Sequence, residues 1–149
     1  EMADFRRKAS AVWSGDLRGG AGRMSTQSGV LKDVRYSFNQ RFGDEPGTNP
    51  EELLAAAHAS CYSMALSHAL SSKGYTVESV ETNATCFLSP QAAGGFRITK
   101  MHLQVRGKVK GIDEATFVQI AKETDAGGCP VSILLHPGLT IELDAALVK

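Results

Sequence analysis

The stretch LLAAAHASCYSMALSHAL, residues 53–70, carries no Lys, Arg, Asp or Glu and is small or apolar on nearly every side. Written on a helix it leaves no wide polar face, and such a helix is expected to be buried all round. Its ends are readable too. Thr48 or Asn49 can cap it, Pro50 suits the first helical position, and Glu51 and Glu52 complement the free N–H groups of the first turn. Gly74 is a natural stop, so the helix is predicted to run to about Ser72. Such a helix is roughly 35 Å long at 1.5 Å per residue. A chain of 149 residues can hardly cover it alone, so a second subunit is expected to help. His58, Ser60, Ser63, Ser67 and His68 interrupt its apolar run. It therefore falls short of the ~18 consecutive apolar residues of a membrane span.

The remaining segments alternate between strand and turn signals. Residues 6–16 and Met24–Ser28 read as a hairpin around LRGGAGR, and Val34–Phe38 as a third short strand. Tyr75–Leu88 and Phe96–Val109 alternate as two long strands, expected to be antiparallel. Asp113 caps a second helix with Ala115, Phe117, Val118, Ile120 and Ala121 as its apolar stripe, ending at Gly127-Gly128. Cys129-Pro130 opens a short helix through Leu135, and Leu139–Val148 closes the chain as a strand. The order predicts an α+β fold with antiparallel sheets, in a single domain over residues 1–149.

Charge narrows the classes of function. Sixteen basic residues balance sixteen acidic ones, so no electrostatic drive toward nucleic acid or an anionic membrane is expected. The opening EMADFRRKAS has no apolar run behind its charges and does not read as a secretory signal. Three cysteines, without CxxC or paired His/Cys spacing, fit neither a disulfide scaffold nor a metal site. The expected compartment is the cytoplasm.

The cysteines differ in context. Cys61 lies mid-helix between Ser60 and Tyr62, and by itself reads as a small buried hydrophobe. The small residues around it nevertheless leave room for another chain or a ligand. Cys129 stands between Gly127-Gly128 and Pro130 at a helix start. There the positive helix end favours a thiolate, below the free value of about 8.5. Two readings stand side by side for it: a reactive thiol, or a cysteine that merely caps a helix. Cys86 alternates with Thr85 and Phe87 on a strand and reads as structural. Cys61 is too far from its helix end to be activated by the dipole. A cation must come from elsewhere, from Arg35, Arg41, His58 or His68. Arg41 follows RYSFNQ, read as a strand end, and its guanidinium is a fixed fork of donors.

The tract FNQRFGDEPGTNPEELLAAAHASCYSMALS, with AGGCPVS later, closely resembles the OsmC/Ohr family of osmotically inducible and organic hydroperoxide resistance peroxidases. The resemblance runs from AVWSGDLRGGAGRMSTQSGVL to the last strand. STQSGVL and FNQRF point to the OsmC branch. It implies that Cys61 is the peroxidatic cysteine and Cys129 the resolving one, that Arg41 activates the thiolate, and that Glu51 holds Arg41. It also implies an intertwined homodimer, with antiparallel sheets wrapped around long central helices. The implied activity is reduction of organic hydroperoxides in oxidative or osmotic stress, with no metal or prosthetic group and a lipoyl-type dithiol as reductant. Gly43 departs from the branch, which often has an acidic residue there, and is expected to loosen the Arg41 loop. Ten residues along a helix separate Glu51 from Cys61 by ~15 Å. The Arg41–Glu51 pair is therefore expected to reach Cys61 from another chain. Apolar surroundings drawn from Leu54, Ala57, Tyr62, Met64, Phe38 and Phe42 are expected to suit a fatty or aromatic hydroperoxide. Three rival readings remain: a non-catalytic ligand-binding or stress protein with inert thiols, a cysteine hydrolase using His58 or His68, and a structural dimer built on the long helix.

Overall fold

The computed structural model describes residues 2–149. Two compact units divide the chain, one holding the described residues up to Pro50 and the other Glu51–Lys149.

The first unit is a three-stranded antiparallel sheet of β1 (Ala9–Ser14), β2 (Ala21–Thr26) and β3 (Val34–Tyr36), in that order. At its first turn the Asp16 carboxylate accepts from the Gly19 N–H, and the Trp13 indole donates to the Gly15 and Asp16 carbonyls. The third strand is shorter than expected. Ser37 ends it by accepting the Gln40 N–H, as an N-cap does, and Phe38–Phe42 winds into a short helix, α1. RYSFNQ is therefore not a strand running up to Arg41; Arg41 sits in the last turn of α1. A capping serine competes for the backbone and wins over weak alternation.

The loop after α1 is fastened in several places. Glu45 accepts from Arg35 at 2.5 Å and from the Ser37 hydroxyl at 3.0 Å. The Gln40 amide donates to the Pro46 carbonyl, and Asn49 to the Gln40 carbonyl. Gly47 has φ +142°, and a side chain there would run into the Gln40 amide. The sequence GDEPGTNP thus folds back on α1 through its own side chains.

α2, Pro50–Ser72, has the predicted bounds and from Glu51 on belongs to the second unit. Gly74 (φ +90°) ends it. The Tyr75 N–H bonds to the Leu70 carbonyl and the Gly74 N–H to that of Ser71, which satisfies the last carbonyls. β4 (Thr76–Pro90) and β5 (Phe96–Lys110) form the long antiparallel pair. β6 (Thr140–Leu147) lies against β5 and parallel to it. The α+β class holds, and this one parallel pairing adds to it. A parallel neighbour needs a long crossover, supplied by α3 (Glu114–Glu123), capped by Asp113 as expected, and α4 (Pro130–Leu135). Between them Thr124–Gly128 forms one widened turn, closed by the Cys129 N–H on the Thr124 carbonyl at 2.9 Å. Regular α-helix therefore stops before the glycine pair, not at it.

The core of this unit joins alternate residues of β5 (Met101, Leu103, Val105) to Tyr62, Leu66 and Leu70 of α2 and to Phe117, Ile120 and Ala121 of α3. Gly107 lies flush under the Phe117 ring, where a side chain would collide. Only one face of α2 is buried, at Glu51, His58, Tyr62, Leu66 and Leu70. Burial all round does not hold within one chain, because a three-stranded sheet and one helix layer cover a single side. Ala57 and Met64, expected in apolar surroundings, are exposed, Met64 by 76%.

Candidate active site

Cys61 and Cys129, 68 residues apart in sequence, meet where α2 passes the start of α4. Their sulfurs are 3.4 Å apart, with the Cys129 thiol donating. Both are free thiols; Cys129 is wholly buried and Cys61 partly so.

α4 explains the meeting point. Cys129 is its N-cap, in extended backbone (φ −96°, ψ 113°), and Pro130 occupies the next position. The sulfur of Cys129 accepts the Ser132 N–H at 3.4 Å. The Val131 N–H turns toward the other sulfur, that of Cys61. One helix start thus presents its unpaired amides to both thiols, as helix geometry requires of its first turn. The capping reading of Cys129 holds in this placement.

Burial pushes the Cys61 thiol up from its ordinary range; the Val131 amide pulls it down, and the adjacent Cys129 adds to the rise. Within this unit the surroundings of Cys61 favour the thiol over the thiolate, and an added positive charge would favour the thiolate. Cys86, on β4 opposite Met101, is also raised by burial, and next by the negative charge of Glu51. It packs half-buried against the core, in keeping with its structural reading.

Arg41 lies in the first unit, exposed, with its guanidinium carbon 5.2 Å from the centre of the Phe42 ring. Phe42 in turn stacks tilted on Phe38 at 4.8 Å, and Arg18 lies over Phe38 at 4.9 Å. Glu51 lies in the first turn of α2 and is 7% exposed. A carboxylate so enclosed is costly unless it is paired.

Sequence reasoning overlooked the residues behind the thiols. Ser132 and Val131 contribute backbone amides, a role visible only from their position after the capping cysteine. His58, weighed as a hydrolase base, shares a 2.7 Å hydrogen bond between Nε2 and the Ser132 hydroxyl. Its Nδ1 is buried with no hydrogen-bond partner among the described residues. The ring therefore serves Ser132 and not Cys61, against the hydrolase arrangement. Tyr62 donates to the Ala121 carbonyl at 2.7 Å and ties α2 to α3 beside the thiols.

A model of the OsmC-like protein family matches residues 43–144. Peroxiredoxin OsmC of Escherichia coli (strain K12) is 48% identical over 138 residues, 93% of this chain and 95% of that protein. Organic hydroperoxide resistance protein OhrB of Bacillus subtilis (strain 168) is 33% identical over 98 residues, 65% of this chain and 68% of OhrB. The crystal structure of that OhrB matches with a TM-score of 0.72 at 25% identity, covering 93% of this chain and 97% of the other.

Proposed function

The chain belongs to the OsmC-like protein family, and from that premise we propose that it is a thiol peroxidase reducing organic hydroperoxides through Cys61 and Cys129. The observation that carries the reading is the 3.4 Å approach of the two sulfurs at the head of α4. A disulfide needs about 2.05 Å, so closing the pair takes a movement on the order of 1 Å.

In the proposed cycle the Cys61 thiolate attacks the distal oxygen of ROOH. The O–O bond breaks, the alkoxide leaves and takes a proton, and Cys61 becomes a sulfenic acid. The Cys129 sulfur then attacks the Cys61 sulfur, forming the disulfide, and the hydroxyl leaves as water. An external dithiol, of lipoyl type, restores both thiols by exchange. Arg41 favours the thiolate and the charge developing on the peroxide oxygens, and Glu51 orients Arg41. The upward push on the Cys61 thiol supports this division of labour, since a thiolate held there needs a positive charge beside it.

The active assembly in this reading is a homodimer in which Arg41 and Glu51 act on the partner's thiol pair. Support comes from the ~15 Å separation of Glu51 and Cys61 along α2, and from the exposed apolar face that α2 presents at Ala57 and Met64. The whole chain is read as one OsmC-like domain, because the family match crosses the boundary between the two units. The proposed setting is the cytoplasm, under oxidative or osmotic stress.

Mass spectrometry after one equivalent of cumene hydroperoxide tests the cycle. Wild type should gain an intramolecular Cys61–Cys129 disulfide, and Cys129→Ser an oxidised Cys61. Two unmodified thiols in wild type would instead favour the inert-thiol protein. Mixed dimers of Arg41→Ala and Cys61→Ser subunits test the trans arrangement. They should retain one working site, and complete loss of activity would sink it.

A further inference from the structure

The contact between Cys61 and Cys129 is not the only link between α2 and the start of α4. Three residues before Cys61 stands His58; three residues after Cys129 stands Ser132. Their 2.7 Å hydrogen bond runs alongside the sulfur pair, one helical turn away on each helix. His58, Ser132 and Cys129 are all 0% exposed.

An imidazole in this place needs a reason. The neighbouring buried positions of the α2 face are Tyr62, Leu66 and Leu70, and a leucine at 58 would continue the apolar row. Burying a ring with two polar atoms costs free energy unless they are hydrogen-bonded, and here only Nε2 is. Burial pushes the His58 pKa down, against the opposing pull of Asp125, and His136 adds to the fall, which favours the neutral ring. What the ring does is hold the Ser132 hydroxyl, and Ser132 is the residue whose N–H rests on the Cys129 sulfur. Before Cys129 come two exposed glycines, in the widened turn that the Cys129 N–H closes on the Thr124 carbonyl.

Resting on the thiol-peroxidase reading above, we propose that His58 is a positioning residue for the resolving step. Its bond to Ser132 latches α4 to α2 and keeps the Cys129 sulfur within reach of Cys61 after Cys61 has been oxidised. In that step the Cys61 sulfenic acid and the Cys129 thiol give the disulfide and water. The S–O bond breaks, the S–S bond forms, and the Cys129 proton leaves with the hydroxyl. No external oxidant or reductant is consumed. Peroxide attack on Cys61 precedes this and does not require Cys129 to be held.

The latch therefore predicts a split between two steps. Stopped-flow reaction of His58→Leu and of Ser132→Ala with cumene hydroperoxide should form the sulfenic acid within about twofold of the wild-type rate. Disulfide formation should slow about tenfold or more, because a small misplacement of a reacting group costs that much. Dimedone should trap more Cys61 sulfenic acid, and excess peroxide should drive more of it to sulfinic acid. His58→Gln, with an amide able to reach Ser132, should recover part of the resolving rate. Ser132→Ala removes a single oxygen and carries the test if His58→Leu fails to fold. Resolution at the wild-type rate in these variants, or an equal fall in both steps, would overturn the proposal. A wild-type protein forming neither sulfenic acid nor disulfide would overturn the peroxidase reading itself, and the latch with it.

Discussion

The two faces of α2 have nearly the same chemistry in sequence and different fates in the structure. On one face His58, Tyr62, Leu66 and Leu70 are 0% exposed and meet the sheet, α3 and α4. On the other, Ala56, Ala57, Ser60, Met64 and His68 are exposed. A helix normally advertises its buried side by contrast with a charged one. Here the contrast is missing, because neither side carries a charge between Leu53 and Leu70. The inner face carries Leu and Tyr beside His58, and the outer face Ala and Ser beside Met64 and His68. The outer face keeps apolar side chains exposed at Ala56, Ala57 and Met64. Cys61 lies at the border between the two, half-covered, which is where a thiol can meet both α4 and an incoming molecule.

Substitutions can break this comparison. The largest effect belongs to the border residue: Cys61→Ser should abolish peroxide consumption in a coupled dithiol assay while leaving the far-ultraviolet circular dichroism unchanged. Next, Leu66→Ala on the inner face should lower the unfolding free energy by about 2–5 kcal/mol in urea titrations. Met64→Ala on the outer face should cost far less. Similar losses from both would erase the distinction between the faces. Third, Ala57→Arg should leave the helix content intact but shift the protein toward monomer in sedimentation experiments. A dimer undisturbed by it would mean that α2 is not at the subunit interface.

The smallest effect is a change of pH profile. Burial raises the Cys61 thiol, so its reactive thiolate is scarce at neutral pH and grows as pH rises. In Arg41→Ala, with the proposed activating cation gone, the rate of peroxide attack should climb by about tenfold per pH unit from near-neutral pH upward. The wild-type rate should be flatter over the same span. Parallel profiles for the two proteins would remove Arg41 from the role of thiolate activator.

Much of the architecture was legible because it is local. Pro50, the acidic first turn and Gly74 bracket α2 within a few residues of its ends. Asp113 caps α3 through the Thr116 N–H at 2.7 Å, as its position before the apolar stripe suggests. The alternation of β5 picks out Leu103 and Val105, both fully buried, while Met101 on the same face joins the core only in the fold. Where alternation was faint, a stronger local competitor prevailed, as Ser37 did in turning Phe38–Phe42 into helix. The parallel pairing of β6 with β5 was not legible, since alternation tells which face is buried and not which way the neighbour runs.

The candidate site divides along the same line. That Cys129 begins a helix and that Cys61 lies deep within another follows from local chemistry, because capping and helix periodicity act over one or two turns. The meeting of the two sulfurs at the amides of α4, the bond of His58 to Ser132 and not Cys61, and the exposure of one face of α2 arise from long-range packing. Those outcomes depend on which buried surfaces find each other across tens of residues of chain. No spacing rule encodes that choice, because burial is summed over the whole fold and not over neighbours in sequence.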